Sequence, residues 1–441
     1  MLAATAKFSY MPDVGVMHFV GQEMPRVFKG ETNMLQEMRN HNVLDDYYAG
    51  GLGFLQSEIG AGTGGATKRI LEHCPQFFTY TFTDVSSGFL ESANEVFSDH
   101  KDRMIYKTLD CGYDPVTQGY TEESYDVVVA SLVIHATPNL EVTMRNTRRL
   151  VKPGGFLVVA EGSNNGQPHG TGGFIFGPLP GWWLGADSGR PHSPFVSTAE
   201  WDRLLKVSGF AGIDSIAPKE FEDVIGMTVF AAPAVDDRIS FLREPLSPAI
   251  FNSSAVPPFE NLVIVGGLTD QTEGVVRSMK KALAGYALQL QSFETPHDVN
   301  YSLINENTTV VCLTELDTPL FEDDTPEDFS AFKTMFSTPM KLLWVTSGRL
   351  ASKPFSNMTV GFGRAAVHET INLQFQNIDF ADIKHLDAQG LVEMVLRFSA
   401  STGMTEAERK QVLWAIEPEI AVDAEGTQRV QRLRPIAARN D

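Results

Sequence analysis

The sequence predicts two consecutive α/β units, each a largely parallel sheet covered by helices. Three observations predict it. Near-continuous apolar runs, too apolar for one-sided strands, alternate with helical stretches, the pattern of parallel strands buried on both faces. A glycine-rich turn follows the first of these stretches and opens a helix, with an acid at the end of the next run. A proline- and serine-rich passage then interrupts the alternation before it resumes. A length of 441 residues leaves room for two or three domains.

Residues 1–54 read as an N-terminal helical cap, as in Asn33-Met34-Leu35-Gln36-Glu37-Met38, ending in Gly50-Gly51-Leu52-Gly53. Residues 55–240 form the first α/β unit, with strands at Phe78–Thr83, Tyr125–Ser131 and Gly155–Ala160 and a helical segment at Lys68–Cys74. Residues 241–258, rich in proline and serine from Pro245 to Pro258, read as a linker. Residues 259–441 carry the second unit, with strands at Asn261–Val265, Ala287–Gln291, Thr309–Leu313 and Leu342–Thr346.

Composition excludes several classes of function. Thirty-five Lys and Arg against 55 Asp and Glu give a net charge of −20, unsuited to a protein whose affinity comes from neutralising phosphates, so no nucleic-acid partner is expected. The cysteines Cys74, Cys111 and Cys312 lie far apart, which argues against a disulfide framework or a structural metal site. The longest apolar runs are strand-length, short of the roughly 20 residues a membrane helix needs. Met1–Tyr10 lacks a basic segment followed by an apolar one, so the expected location is the cytoplasm.

The most informative passage is Glu58-Ile59-Gly60-Ala61-Gly62-Thr63-Gly64-Gly65-Ala66-Thr67. Its glycines allow a tight turn and let a ligand approach the backbone beside a helix N-terminus. Asp84 ends the following run, twenty residues beyond Gly64, at the spacing that lets a carboxylate accept from ribose hydroxyls. A nucleoside ligand is therefore expected. Glu58, directly before the loop, suits a cationic ligand better than a pyrophosphate.

This order resembles the first motif of class I S-adenosylmethionine-dependent methyltransferases. The resemblance continues in Asp110-Cys111, where family members contact adenine, in Tyr125–Ser131 and in Leu150-Val151-Lys152-Pro153-Gly154-Gly155. It implies a Rossmann-like sheet, S-adenosylmethionine as cofactor, and a binding set of Glu58, Gly60, Gly62, Gly64, Asp84, Asp110, Cys111 and Ser131.

Longer phrases resemble the C-methyltransferase domain of fungal highly reducing polyketide synthases. They are Leu44-Asp45-Asp46-Tyr47-Tyr48 with Gly51-Leu52-Gly53-Phe54, Tyr80–Phe89, Ala130–Thr137 and Gly173–Gly185. Trp344–Gly348 and Asn357–Arg364 resemble the structural, non-catalytic half of the ketoreductase that follows it, a truncated Rossmann-like domain. The resemblance implies C-methylation of a β-ketoacyl chain on an acyl carrier protein, with other synthase domains as partners. One departure stands out: the family places a helix and the first strand between Phe54 and the glycine loop, whereas here Leu55-Gln56-Ser57-Glu58 is all that intervenes. A misread exon and a true deletion both explain that gap, which bears on the sheet centre and the cofactor floor.

C-methylation needs a base to take a proton from the carbon between two carbonyls, and histidine has a suitable range. His135 follows the Tyr125–Ser131 strand, on the rim where sheet ligands bind, and Glu161 ends the next strand. Adjacent strand ends can bring carboxylate to imidazole, as in the family's His–Glu dyad. Tyr48 is a candidate for supporting the enolate oxygen, and Phe174–Trp183 for a lid over an acyl chain. Leu262-Val263-Ile264-Val265-Gly266-Gly267-Leu268-Thr269-Asp270 in the second unit sets an acid where phosphate oxygens would sit, so a scaffold is expected there. Tyr301-Ser302-Leu303-Ile304-Asn305 has the form of a reductase motif, but it falls before the wrong strand and reads as chance. Two rival readings remain: a free-standing methyltransferase acting on a small natural-product intermediate, and an inactive remnant of a synthase.

Overall fold

The computed structural model describes residues 12–41, 43, 59–74, 77–165, 170–248, 259–322 and 325–432. It divides into two compact units, one running to Asp236 and taking in Gln411–Leu413, the other comprising Asp237–Lys410 and the chain from Trp414. The division falls slightly before the expected position at 240, because Asp237–Arg243 is a helix whose Phe241 belongs to the core of the second unit.

In the first unit, β1 (Tyr80–Asp84) pairs in parallel with β2 (Met104–Thr108). Separately, β3 (Tyr125–Ser131) pairs in parallel with β4 (Val151–Gly162), which pairs antiparallel with β6 (Met227–Pro233), itself edged by β5 (Ser215–Ile216). Among the described residues, Ile59 joins the two halves, bridging Thr83 on one side and Ala130 on the other. Its N–H donates to Val129 C=O at 3.0 Å, and Ala61 N–H donates to Thr83 C=O at 2.8 Å. Across the sheet the order is thus β2, β1, Ile59, β3, β4, β6, β5. Among the described residues, Ile59 is what occupies the centre of this sheet.

Within β3, Val127 is 51% exposed while Val128 is buried. The core is split at the seam. Phe82, Phe97, Leu71 and Ala61 form one cluster, while Ile59, Val128, Met144, Leu157 and Trp201 belong to another. Helix α3 (Gly65–His73) leaves the glycine turn, α4 (Ser87–Val96) follows β1, and α5 (Leu140–Leu150) is capped by Asn139, whose side chain accepts from Val142 N–H. The described part of the cap is α1 (Pro12–Phe28) and α2 (Met34–Asn40). Val16, Val20, Met34 and Met38 pack with Ile175 of α6 (Gly170–Phe176), so the cap rests on the aromatic stretch expected to act as a lid.

The second unit is a seven-stranded sheet in the order β13, β12, β11, β10, β9, β7, β8. Its strands are β7 (Phe259–Val265), β8 (Ala287–Phe293), β9 (Thr309–Cys312), β10 (Lys341–Ser347), β11 (Gln374–Phe380), β12 (Glu419–Val422) and β13 (Gln428–Val430), and all pairs are parallel except β12–β13. Every residue of β10 is buried. Leu262 and Ile264 of β7 face one core cluster with Leu343 and Val345, while Val263 and Val265 face the other with Leu342 and Trp344. Period-two alternation with both faces apolar is what produced the continuous runs in the sequence.

Ligands of such a sheet bind where the strand order reverses, here between β7 and β9. That crevice is filled from within. Helix α10 (Asp270–Leu283) begins there, and the carboxylate of Asp317 accepts from Leu268 N–H and Thr269 N–H at 3.2 Å. It also accepts from the hydroxyls of Thr269 at 2.7 Å and Thr272 at 2.6 Å. The acid on the phosphate position is therefore Asp317, at the end of α11 (Thr314–Asp317), and not the exposed Asp270 that the local sequence suggested. Tyr301 lies in a 3-10 turn and donates to Pro296 C=O, with burial pushing its phenol well above the ordinary range.

Candidate active site

Three left-handed glycines build the loop after Ile59: φ is +65° at Gly60, +50° at Gly62 and +79° at Gly64. A Cβ on Gly64 would stand 2.7 Å from the Phe97 ring, so conformation and space both require glycine there. Asp84, buried at the end of β1, accepts from Gly62 N–H at 3.0 Å through one oxygen and from Ser86 N–H at 2.8 Å through the other. Each oxygen keeps a further lone pair, the capacity needed for a diol.

After β2, Asp110 accepts from Gly112 N–H at 2.8 Å, and the Gln118 side chain clasps its backbone N–H and C=O. Cys111 is buried in the core, where burial first and the neighbouring Asp110 second push its thiol up to about 12. A thiol so raised stays protonated near neutral pH. Ser131 ends β3 beside the glycine loop, and among the described residues its buried hydroxyl finds no hydrogen-bond partner, nor does that of Thr67 on α3. Two candidates, Glu58 and Tyr48, lie outside the described residues.

His135 and Glu161 meet. Between β3 and a 3-10 turn at Ile134–Ala136, Leu132 adopts φ +54°, a strained value for a leucine. Glu161, fully buried in β4, holds the turn that follows. Its Oε1 accepts from Val133 N–H at 3.0 Å, Ile134 N–H at 2.8 Å and His135 N–H at 3.3 Å. Its Oε2 lies 2.7 Å from His135 Nδ1. That contact places the ring proton on Nδ1 and leaves Nε2 as the acceptor. Rings surround the imidazole: Phe195 at 5.0 Å and Trp182 at 6.1 Å between centroids, with Phe176 stacked on Trp182 at 5.7 Å. A Cβ on Gly162 would collide with Phe195 at 2.5 Å, so the glycine after Glu161 lets that ring lie over the strand end. Phe195 was not foreseen, since no local pattern marks a lone aromatic in a Pro/Ser loop.

Among the described residues no group of three or more His, Cys, Asp or Glu could hold a metal ion, and no helix is long and apolar enough to cross a membrane. Residues 57–157 match the methyltransferase domain family. The chain carries a methyltransferase domain. The highly reducing polyketide synthase calA of Penicillium decumbens is 58% identical over 463 aligned positions, covering 99% of this chain and 16% of the synthase. The highly reducing polyketide synthase bet1 of Neocamarosporium betae is 44% identical, over 97% of this chain and 15% of that protein. The chain thus spans about one sixth of the length of these relatives. Among solved structures, the trans-methyltransferase CalH in complex with SAH is 31% identical, covering 51% of this chain and 68% of its own, with a TM-score of 0.45. The domain and its flanks are therefore related to fungal highly reducing polyketide synthases. An alignment of 463 positions exceeds the 441 residues here, so the Penicillium decumbens synthase has at least 22 residues without a counterpart in this methyltransferase.

Proposed function

We propose that the chain transfers a methyl group from S-adenosylmethionine to the α-carbon of a β-ketoacyl thioester carried on the phosphopantetheine of an acyl carrier protein. The observation that carries this reading is the Glu161–His135 contact, which leaves Nε2 as a base inside an aromatic-walled site. S-adenosylmethionine supplies an electrophilic methyl on a sulfonium. Gly60, Gly62 and Gly64 let it approach the backbone, Asp84 takes the ribose hydroxyls, and Asp110 lies where the base would sit. The orphan Ser131 hydroxyl gives the site an unspent donor beside the loop. Glu58 suits the ligand's positive charge, and Tyr48 is assigned to the enolate oxygen.

His135 Nε2 takes the α-proton as the carbon between the two carbonyls becomes an enolate, and Glu161 offsets the positive charge that the ring acquires. The enolate carbon forms the new bond to the methyl group as the carbon–sulfur bond breaks. The proton stays on imidazole until solvent removes it. Phe176, Trp182 and Phe195 exclude water and offer an apolar wall to the acyl chain. In the second unit, Asp317 fills the anion site at the start of α10, which supports a scaffold, residues 259–441, in place of a reductase. Its partners would be the neighbouring synthase domains, in the cytoplasm.

The test is to incubate the 441-residue chain with S-adenosylmethionine and acetoacetyl-N-acetylcysteamine thioester and follow α-methylated product by mass spectrometry. Methylation of a soluble acid but of no thioester would favour a free-standing enzyme. The short polar passage Leu55-Gln56-Ser57-Glu58 before the glycine loop favours a different alternative, an inactive remnant. Calorimetry decides that case: cooperative unfolding with no uptake of S-adenosylmethionine would make the chain a remnant.

A further inference from the structure

We infer that Arg190 is a positioning residue that sets the direction of His135, a role that rests on reading His135 as the base. Arg190 follows a 3-10 turn at Ala186–Ser188 and is 7% exposed. Among the described residues no carboxylate forms an ion pair with it. Its guanidinium donates instead to four backbone carbonyls: Nη1 to His135 C=O at 2.8 Å and Pro194 C=O at 3.0 Å, and Nη2 to Pro138 C=O at 3.2 Å and to Thr137 C=O.

Three of these carbonyls belong to the segment that carries the base or leaves it. The turn at Ile134–Ala136 is consequently held from both ends. Glu161 collects the amide hydrogens entering it, and Arg190 collects the carbonyl oxygens leaving it. The charges match the polarity of a helical turn, acid at the amide end and cation at the carbonyl end. Burial lowers the Arg190 pKa and the charge of Glu161 works against that fall, so the two ions support each other across the turn. Pro194 links the clamp to Phe195, the ring 5.0 Å from the imidazole, so one side chain ties down both the base and its wall.

The planar fork of five donors is what satisfies four carbonyls at once, and a lysine, with three donors on one nitrogen, would reach some of them. The sequence has also cleared space for it. A Cβ on Gly185 would fall 2.2 Å from the guanidinium carbon, so Gly185 is the surface on which Arg190 lies. Its φ of −90° is open to any residue, which makes space the reason for glycine there.

The experiment uses the full chain as Arg190→Met, Arg190→Lys and Gly185→Ala, with His135→Ala alongside. In Arg190→Met, kcat for acetoacetyl-N-acetylcysteamine thioester should fall about 100-fold, the scale of a misplaced catalytic group. The KM for that thioester and the affinity for S-adenosylmethionine should stay within about twofold. Arg190→Lys should recover part of the loss, and Gly185→Ala should lower kcat with the arginine still present. Amide exchange should quicken at Val133–Thr137 and stay unchanged elsewhere in β3 and β4. A kcat within about threefold of the parent overturns the inference. So does a parallel fall of donor affinity, melting temperature and kcat, which is what a role in folding alone would give. Should Arg190→Met fail to fold, Gly185→Ala decides. Turnover that survives His135→Ala refutes the base assignment, and the clamp on the turn then stands or falls on amide exchange.

Discussion

The two sheets of this protein fail and succeed in opposite places. In the first unit the glycine turn has three left-handed residues, a facing acid at Asp84 and, among the described residues, an orphan hydroxyl at Ser131, yet the sequence leading into it, Leu55-Gln56-Ser57-Glu58, is polar where a central strand should be apolar. In the second unit β7 is a full seven-residue strand whose last four residues are buried, yet the turn it delivers is filled by Asp317. A binding turn and the scaffold beneath it are thus separable. Apolar periodicity builds the sheet, while the chemistry of a few residues at its carboxyl edge decides whether anything binds there.

The comparison can be broken first at the site. His135→Ala should lower methyl transfer by about 100- to 10,000-fold, the range of a lost general base, with S-adenosylmethionine still bound. Steady-state kinetics paired with calorimetry read this directly. Gly64→Ala tests the turn itself. It forces alanine to a positive φ and drives its Cβ toward Phe97, so donor affinity should fall about 10- to 100-fold, measurable by titration calorimetry.

In the second unit the effects should spare chemistry. Asp317→Ala removes the acceptor at the start of α10 and should cost about 1–2 kcal/mol in urea unfolding, with kcat for the thioester unchanged. A lost kcat would mean that this crevice serves the reaction after all.

The smallest effect concerns Glu315, fully buried on the same short helix as Asp317, where burial raises its pKa against hydrogen bonds from Thr359 and Ser356. A carboxyl whose folded pKa exceeds its unfolded one binds its proton more tightly when folded. Its stabilising contribution is present at low pH and lost as pH rises through the folded value. Glu315→Gln should therefore leave stability near pH 4 little changed and improve it relative to the parent as pH rises toward 8. Denaturant midpoints across that range check the slope.

Much of this was legible in the chain. The Tyr125–Ser131 strand appears with the expected bounds, and the runs at Asn261, Ala287, Thr309 and Leu342 appear within a residue or two of theirs, because strands buried on both faces announce themselves by apolar density. Polar or short edge strands such as β12 and β13 were not foreseen, since their half-exposed residues carry no such signal. In the site, His135 with Glu161 and the glycine turn with Asp84 followed from residue type and spacing. Arg190 and Phe195 did not, because their role comes from carbonyls and rings far away in sequence. The plug is Asp317 and not Asp270 for the same reason: a neighbour in sequence is visible in the chain and a neighbour in space is not.

By itself, then, the amino-acid order determined two layered sheets, a turn able to cradle a nucleoside and a weak segment at the heart of the first sheet. Those are local properties, written in side-chain period, glycine conformation and the polarity of Leu-Gln-Ser-Glu. The folded chain alone decided that Ile59 bridges two half-sheets, that one carboxylate gathers three amides and an imidazole, and that a guanidinium closes the other end of the same turn. Such contacts join residues tens of positions apart, and their distances are set by how strands and loops pack, which no window of sequence contains.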